Sequence, residues 1–388
     1  MAINGNLTLN ETKRLPVFIY GTLLDSEVRQ AVIGDNEAVT AELPDHIVCA
    51  IQGHLFPAVQ FSQGSMVTGL ILQDMSADQE ARLDFYLDPA LFKRCDGVVM
   101  CGGQMVDVQM HMPIAREMQA AGAWDLNAWR QSLQPASLHA AIQIMRSYSV
   151  AGSYNTPIHH HGIEMRAHSS VRAARQDTPV QIRRGFAAED VQDLERNQPY
   201  AGYFAVEDMK IRHARFDGGQ SNVLERAVYL SADAVTVLPY DPVTDQVLLV
   251  EQFRPASYAR NDPHPWVLEP VAGRCDANEA IETVAEREVM EEAGLTLRHL
   301  EKIGSYYSSP GCLTEYLYSF VGIVDLAGVQ SQVHGLESED EDILTHVLPF
   351  EIALAALQSG EVDNGPLLIS LLWLQINRSR LQKAWGSA

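Results

Sequence analysis

Positive charge is scarce in this 388-residue chain: 28 Lys and Arg stand against 50 Asp and Glu, a formal net charge of −22. A nucleic-acid-binding surface needs clustered Lys and Arg to displace counterions from phosphates, so none is expected, whereas a small anionic substrate gripped through a metal ion remains compatible. Cysteine is sparse as well. The five (Cys49, Cys95, Cys101, Cys275, Cys312) are odd in number and lack Cys-x-x-Cys spacing, which argues against a disulfide framework or a zinc site and for incidental thiols. No stretch approaches the roughly 20 apolar residues of a membrane span. The start, Met1 to Asn6, has neither a charged segment nor a long apolar run. The expectation is a cytoplasmic protein without a membrane or nucleic-acid partner. With 46% hydrophobic and 20% charged residues, there is core material for two or three domains.

Three segments differ in pattern. Residues 1–120 carry an apolar strand at Leu15 to Tyr20, strand-like pieces at Val67 to Leu72 and Val98 to Met110, and Gly and Pro punctuation, the pattern of a small mixed α/β domain. Residues 121–181 are expected to be a helical connector and linker. Helical spacing marks Ala115 to Ala121 and Leu126 to Ser147, through Trp129, Leu133, Leu138, Ile142 and Met145, and an aperiodic mixture of Gly, Ser, Pro, His and Arg fills 151–181. His159, His160 and His161 lie in that mixture, and three adjacent side chains on a flexible segment cannot all face one ion. Residues 182–388 change to long strands, among them Ala234 to Leu238 and Gln246 to Gln252 joined by a turn at Asp241 to Asp245, and a helix over Pro366 to Lys383.

The most informative run spans Gly273 to Leu295. On a helix Glu288 and Glu292 stand four residues apart with Glu291 beside them, so their carboxylates project along one face about a turn apart. Like charges this close repel unless a cation sits among them, and Mg²⁺ bridging carboxylates to phosphate oxygens is the usual remedy. Glu279 lies eight residues before Arg287, about two turns along the same face, which suits a structural ion pair better than a metal role. Gly273 is expected to permit a tight turn after the strand Trp266 to Glu269, and Gly294 to end the helix in the left-handed conformation. Ala280, Ile281, Val284, Ala285, Val289 and Met290 supply an apolar side to bury.

The run matches the Nudix box without a gap, at Gly273, Glu279, Arg287, Glu288, Glu291, Glu292 and Gly294, with Val289 and Leu295 in the aliphatic places. Seven fixed identities coincide by chance on the order of 10⁻⁸ per window. The resemblance to Nudix hydrolases extends over roughly 185–385, nearest to the bacterial ADP-ribose pyrophosphatase branch. It is carried by Leu238 to Val243, Leu249 to Arg254, Pro265 to Glu269, Ser309 to Gly311, and His334 to Leu336 followed by Glu339, Glu341 and Asp342. It implies an α/β/α sandwich with a mixed sheet. By the same resemblance the Ala272 carbonyl, Glu288, Glu291 and Glu292 hold Mg²⁺ (Mn²⁺ as the alternative), Glu341 joins a second ion, and Glu339 is the general base. Glu288 and Glu292 also count as catalytic. Arg254, Arg226, Tyr203, Glu269, Pro310 and Gly311 are the implied substrate contacts, and strand exchange around Gly202 to Phe204 implies a homodimer. Ala227 departs from relatives that carry an acid there. The implied reaction is hydrolysis of ADP-ribose to AMP and ribose 5-phosphate, with other nucleoside diphosphate sugars, or a non-enzymatic nucleotide sensor, as alternatives.

Tyr20-Gly21-Thr22-Leu23 after an apolar strand, with Gly53 to Val59 and Arg82 to Tyr86, resembles γ-glutamylcyclotransferase-like domains over about 15–115. That implies a small mixed α/β barrel. Active members carry an acid/base Glu just after the Leu-Asp-aromatic-aromatic segment, and Leu87 stands there; leucine carries no proton, so cyclotransferase turnover is not expected.

Overall fold

Two separate cores divide the chain between Arg175 and Gln176. The computed structural model describes residues 14–114, 118–151, 158–336 and 340–386.

In the first unit, strands that carry inward-facing apolar residues build a barrel. β1 (Val17–Ile19) runs parallel to β5 (Gln104–Pro113) and antiparallel to β3 (Pro57–Leu72), while β4 (Phe92–Cys101) joins β5 to β2 (Ala38–Ile51). β2 also pairs with β3, so the ring of strands closes. Closure leaves few edges open to other chains. The expected Val98 to Met110 strand is a hairpin, with its turn at Cys101 to Gln104.

At the end of the helix expected over Ala115 to Ala121, Ala120 and Ala121 instead belong to β6 (Ala120–Ala123), which pairs with Cys49 and Ile51. The alanine-rich sequence misled because a pairing partner far along the chain outweighs local helix propensity. Ala115 to Glu117 lie outside the described residues.

The helices of this unit are α1 (Ser26–Ile33), α2 (Ala77–Tyr86), α3 (Leu126–Ser132), α4 (Gln134–Ala151) and α5 (His160–Arg175). α5 corrects the reading of 151–181 as linker, and 121–175 belong with the barrel rather than to a connector ending at 181. Its buried stretch, Gly162 to Ser169, mixes small, charged and imidazole side chains, so no apolar stripe announces it; Ile163 and Ala167 nonetheless join the core of Val17, Ile19 and Leu72. His160 is no solvated linker residue either, since its Nε2 lies 2.8 Å from Asp88.

The second unit opens with a three-stranded antiparallel sheet, β7 (Val191–Ala201), β8 (Ala205–His213) and β9 (Leu224–Leu230). β10 (Ala234–Asp241) and β11 (Gln246–Phe253) follow, then the short α6 (Pro255–Ala259), β12 (Trp266–Glu269), β13 (Val271–Arg274) and α7 (Ile281–Ala293). The chain continues through β14 (His299–Tyr307), β15 (Tyr316–Ile323), β16 (Val333–His334), β17 (Ile343–Pro349), α8 (Phe350–Ser359) and α9 (Gly365–Trp385).

The mixed sheet runs β14-β15-β10-β11-β17-β16, with β10 and β15 parallel. Side chains alternate across it. Val235, Val237, Leu248 and Val250 face α7, whereas Leu238, Tyr240, Val247 and Leu249 pack with Leu367, Leu371 and Leu374 of α9. A sheet buried on both faces reads as a continuous apolar run, as β10 does. The β10–β11 turn is fixed by Asp241, whose carboxylate accepts from the amides of Val243 and Thr244 and from Leu326. The result is an α/β/α sandwich preceded by a mixed α/β barrel.

Among the described residues no helix is long and apolar enough to cross a membrane.

Candidate active site

α7 places the acids. Val284, Ala285 and Val289 bury against the sheet, which turns Glu288 and Glu292 toward β13, while Met290 is exposed rather than part of the apolar side. β13 is held to β10 by antiparallel pairs that include Thr236 with Ala272 and Val235 with Gly273.

Glu292 is 2% exposed, and its Oε2 accepts from the Ala272 amide at 3.0 Å. Glu288 lies directly over Gly273: a Cβ built there would stand 1.8 Å from the Glu288 carboxyl carbon. This corrects the expected role of Gly273. It sits inside β13 rather than in a tight turn, α7 starts only at Ile281, and close approach by the carboxylate is what requires glycine. Gly294 does cap α7 in the left-handed region, at φ 63°.

Arg287 organises the rest of the helix face. Its Nε and Nη2 grip Glu279 at 3.2 and 3.1 Å, the structural ion pair the spacing predicts, and Nη1 reaches Glu288 at 2.7 Å and Glu291 at 3.1 Å.

Burial pushes the carboxyls up, to about 7 at Glu288 and about 8 at Glu292; repulsion from Glu341 adds to both, and Arg287 partly offsets the shift at Glu288. Glu341 is fixed by its backbone and side chain together, Oε2 accepting from Leu336 N–H at 3.1 Å. Its neighbour Gly335, at φ 113°, leaves no room for a Cβ against Glu341. Glu339 lies outside the described residues.

This donor set suits a hard divalent ion. Carboxylate oxygens whose protons are retained by burial and mutual repulsion are what a cation would displace protons from, and the missing Cβ at Gly273 opens the space around Glu288. No group of three His, Cys, Asp or Glu converges as a preformed shell among the described residues. In their present arrangement Glu288 and Glu291 are held by the Arg287 guanidinium.

Arg254 and Glu269, both expected at the substrate, meet: Nε and Nη2 of Arg254 lie 2.7 and 2.6 Å from Glu269 Oε2. Burial raises the Glu269 carboxyl, with Arg254 opposing and Asp363 and Glu315 adding to the rise.

Pro310 and Gly311 lie on an exposed loop that is clamped to β9 through Tyr229 N–H to Cys312 O (2.8 Å) and Thr314 N–H to Tyr229 O (3.1 Å). Tyr203 occupies the exposed β7–β8 turn, edge-on to Phe204, and Phe204 packs on Tyr229. Arg226, on exposed β9, turns its Nη1 to the Glu225 carbonyl at 2.7 Å.

Two residues near this cluster carry no sequence signal. Arg274 stacks over the Phe204 ring at 5.2 Å and lies 3.6 Å from Glu315, linking the small sheet to the acids. Glu315 stands alone in sequence, without a spaced partner.

Paired buried carboxylates on a sandwich helix, lodged against one strand and beside an arginine-bearing strand end, suit a hydrolase acting on phosphoanhydrides. Residues 230–368 match the NUDIX domain and residues 17–131 match the gamma-glutamyl cyclotransferase, AIG2-like family. The chain belongs to the Nudix family and is a Nudix diphosphatase. It is 38% identical over 201 residues to the ADP-ribose pyrophosphatase of Escherichia coli (strain K12), covering 52% of this chain and 95% of that protein. The Haemophilus influenzae ADP-ribose pyrophosphatase is 39% identical over 202 residues, 52% of this chain and 93% of the relative. A GDP-mannose pyrophosphatase of Enterobacter sp. (strain 638) is 35% identical over 153 residues, 39% and 78%.

Proposed function

We propose that the second unit hydrolyses the diphosphate of ADP-ribose to AMP and ribose 5-phosphate. The observation that carries this reading is the pair of buried carboxylates, Glu288 and Glu292, lodged against Gly273 and Ala272 of one strand. Glu288, Glu292, Glu291, Glu341 and the Ala272 carbonyl would hold Mg²⁺, with Mn²⁺ the alternative. When bound, such ions would supply charge to neutralise the diphosphate and would lower the pKa of attacking water. Glu339 is proposed as the base that takes the water's proton. Arg254, held by Glu269, presents a guanidinium suited to bidentate capture of phosphate oxygens. Pro310 and Gly311 are proposed as further substrate contacts.

The adenine-side contacts, Tyr203 and Arg226, are proposed to work in a homodimer. The β7–β9 sheet exposes Leu194, Tyr200, Tyr203 and Tyr229, apolar surface that a second copy would cover. Cytoplasmic residence is part of the proposal, in keeping with five free cysteines.

Substrate choice rests on the likeness to ADP-ribose pyrophosphatases, and the GDP-mannose pyrophosphatases keep other nucleoside diphosphate sugars as the second reading. Rates on ADP-ribose, ADP-glucose, GDP-mannose and NADH with Mg²⁺ test it. ADP-ribose is expected to give the highest kcat/KM, and a sugar nucleotide exceeding it tenfold would replace the assignment.

A further inference from the structure

The barrel unit contains a pocket between the strands and the helices α4 and α5, lined among others by Tyr20, Thr22, Leu87, Ser137, His160 and Glu164. The position where an acid would be expected, Leu87, contributes only hydrocarbon. A carboxylate nevertheless reaches the pocket. Glu164 comes from α5, beyond the 17–131 segment matched to the cyclotransferase family, and is 5% exposed.

We propose that this pocket is a second binding site, for a compact primary ammonium compound anchored on Glu164. Three observations carry it. The first is the charge left inside. Glu164 Oε1 accepts from the neutral Leu55 N–H at 3.2 Å, and the nearest basic group, His54 Nδ1, stands off at 3.7 Å. Of the two histidines that line the pocket, His160 is taken by Asp88 and His111, through its Nε2, by Asp84, each at 2.8 Å. A buried carboxylate without a close cation is costly, and a ligand ammonium would supply three donors to it.

The second is unmet hydrogen-bonding capacity in the same wall. Among the described residues Ser137 Oγ and His111 Nδ1 have no hydrogen-bond partner, although the two residues are 4% and 6% exposed and both line the pocket. Buried polar atoms are paired as a rule, by ligand if not by protein. Together with Glu164 they offer a bound molecule an anion and two neutral polar contacts.

The third is size. The cavity is about 60 Å³, room for roughly four to six water-sized positions, which fits a molecule of about that many non-hydrogen atoms. Phe56, Phe92 and Ile144 give it an apolar wall for a short carbon chain. A free anion is disfavoured by Glu164.

The test uses the full-length protein and n-butylammonium as probe, with butan-1-ol as the neutral control of the same shape, each titrated by saturation-transfer NMR. Wild type is expected to bind the ammonium at least tenfold more tightly than the alcohol. Glu164→Gln, whose Oε1 can still accept from Leu55, is expected to lose at least tenfold in ammonium affinity while keeping its alcohol affinity. Glu292→Gln is expected to bind the probe as wild type does, separating this site from the acids of the other unit and from any failure of the diphosphatase assignment. Should Glu164→Gln not fold, Ser137→Ala takes its place, with a several-fold loss expected. Equal affinity for amine and alcohol, no binding of either, or unchanged ammonium binding in the folded variant would each overturn the proposal.

Discussion

Gly273 and Glu288 are separated by fifteen residues yet share one volume: the Glu288 carboxyl carbon occupies a point 1.8 Å from where a Gly273 side chain would begin. Strand and helix are therefore matched to each other at this contact, and a methyl group there must displace the carboxylate. Gly273→Ala is expected to lower AMP release from ADP-ribose at least tenfold. Overpacking of this kind destabilises by about 1–3 kcal/mol, so the melting temperature should fall too. Wild-type turnover in Gly273→Ala would show that the position of Glu288 is immaterial.

Glu292→Gln removes a charge while keeping the acceptor that meets the Ala272 amide. Turnover is expected to fall at least a hundredfold with little change in melting temperature, since a metal-holding oxygen is lost but the fold contact is kept. Steady-state kinetics at saturating Mg²⁺ checks it, and a loss below threefold would remove Glu292 from the proposed metal set.

The raised carboxyls set a pH dependence with a definite sign. Glu288 and Glu292 titrate near 7 and 8 in the folded chain, against an ordinary value of 4.5. Between those values the folded state binds more protons than the unfolded one, so stability is full below about pH 4.5 and declines as pH rises through 7 to 8. In EDTA the melting temperature of the second unit should fall from pH 6 to pH 9. Added Mg²⁺ should raise it most at the alkaline end, because binding requires loss of the same protons. A rising melt with pH in EDTA would contradict the buried placement of these acids.

Arg254→Ala is expected to raise KM for ADP-ribose at least tenfold, with a smaller effect on kcat, if the guanidinium grips the ground-state diphosphate. Initial rates across a substrate series check the split. It also strips Glu269 of its partner, so Arg254→Lys, which keeps the charge but not the fork, is the companion variant.

What could be read from the residues alone follows their range in sequence. The α7 acids were legible because their chemistry repeats at helical spacing inside one run, and the Arg287–Glu279 pair because both ends lie on that run. The reason for Gly273 was not, since the carboxylate above it arrives from another element and local spacing carries no trace of that approach. α5 escaped because its buried face holds Glu164, Arg166 and His168 where a pattern search expects leucines. The start of β6, Ala120 and Ala121, carries helical spacing because alanines reveal nothing of the partners Cys49 and Ile51. Arg274 and Glu315 stand at the site only through the folding of β13 beside the loop before β15, a juxtaposition without a spaced signature.

The most direct measurement is AMP release from ADP-ribose by the purified full-length protein supplied with Mg²⁺ or Mn²⁺. AMP and ribose 5-phosphate are expected in equal amounts, with Glu292→Gln nearly silent. An intact diphosphate with either metal, in ADP-ribose and in every nucleoside diphosphate sugar offered, would contradict the assignment.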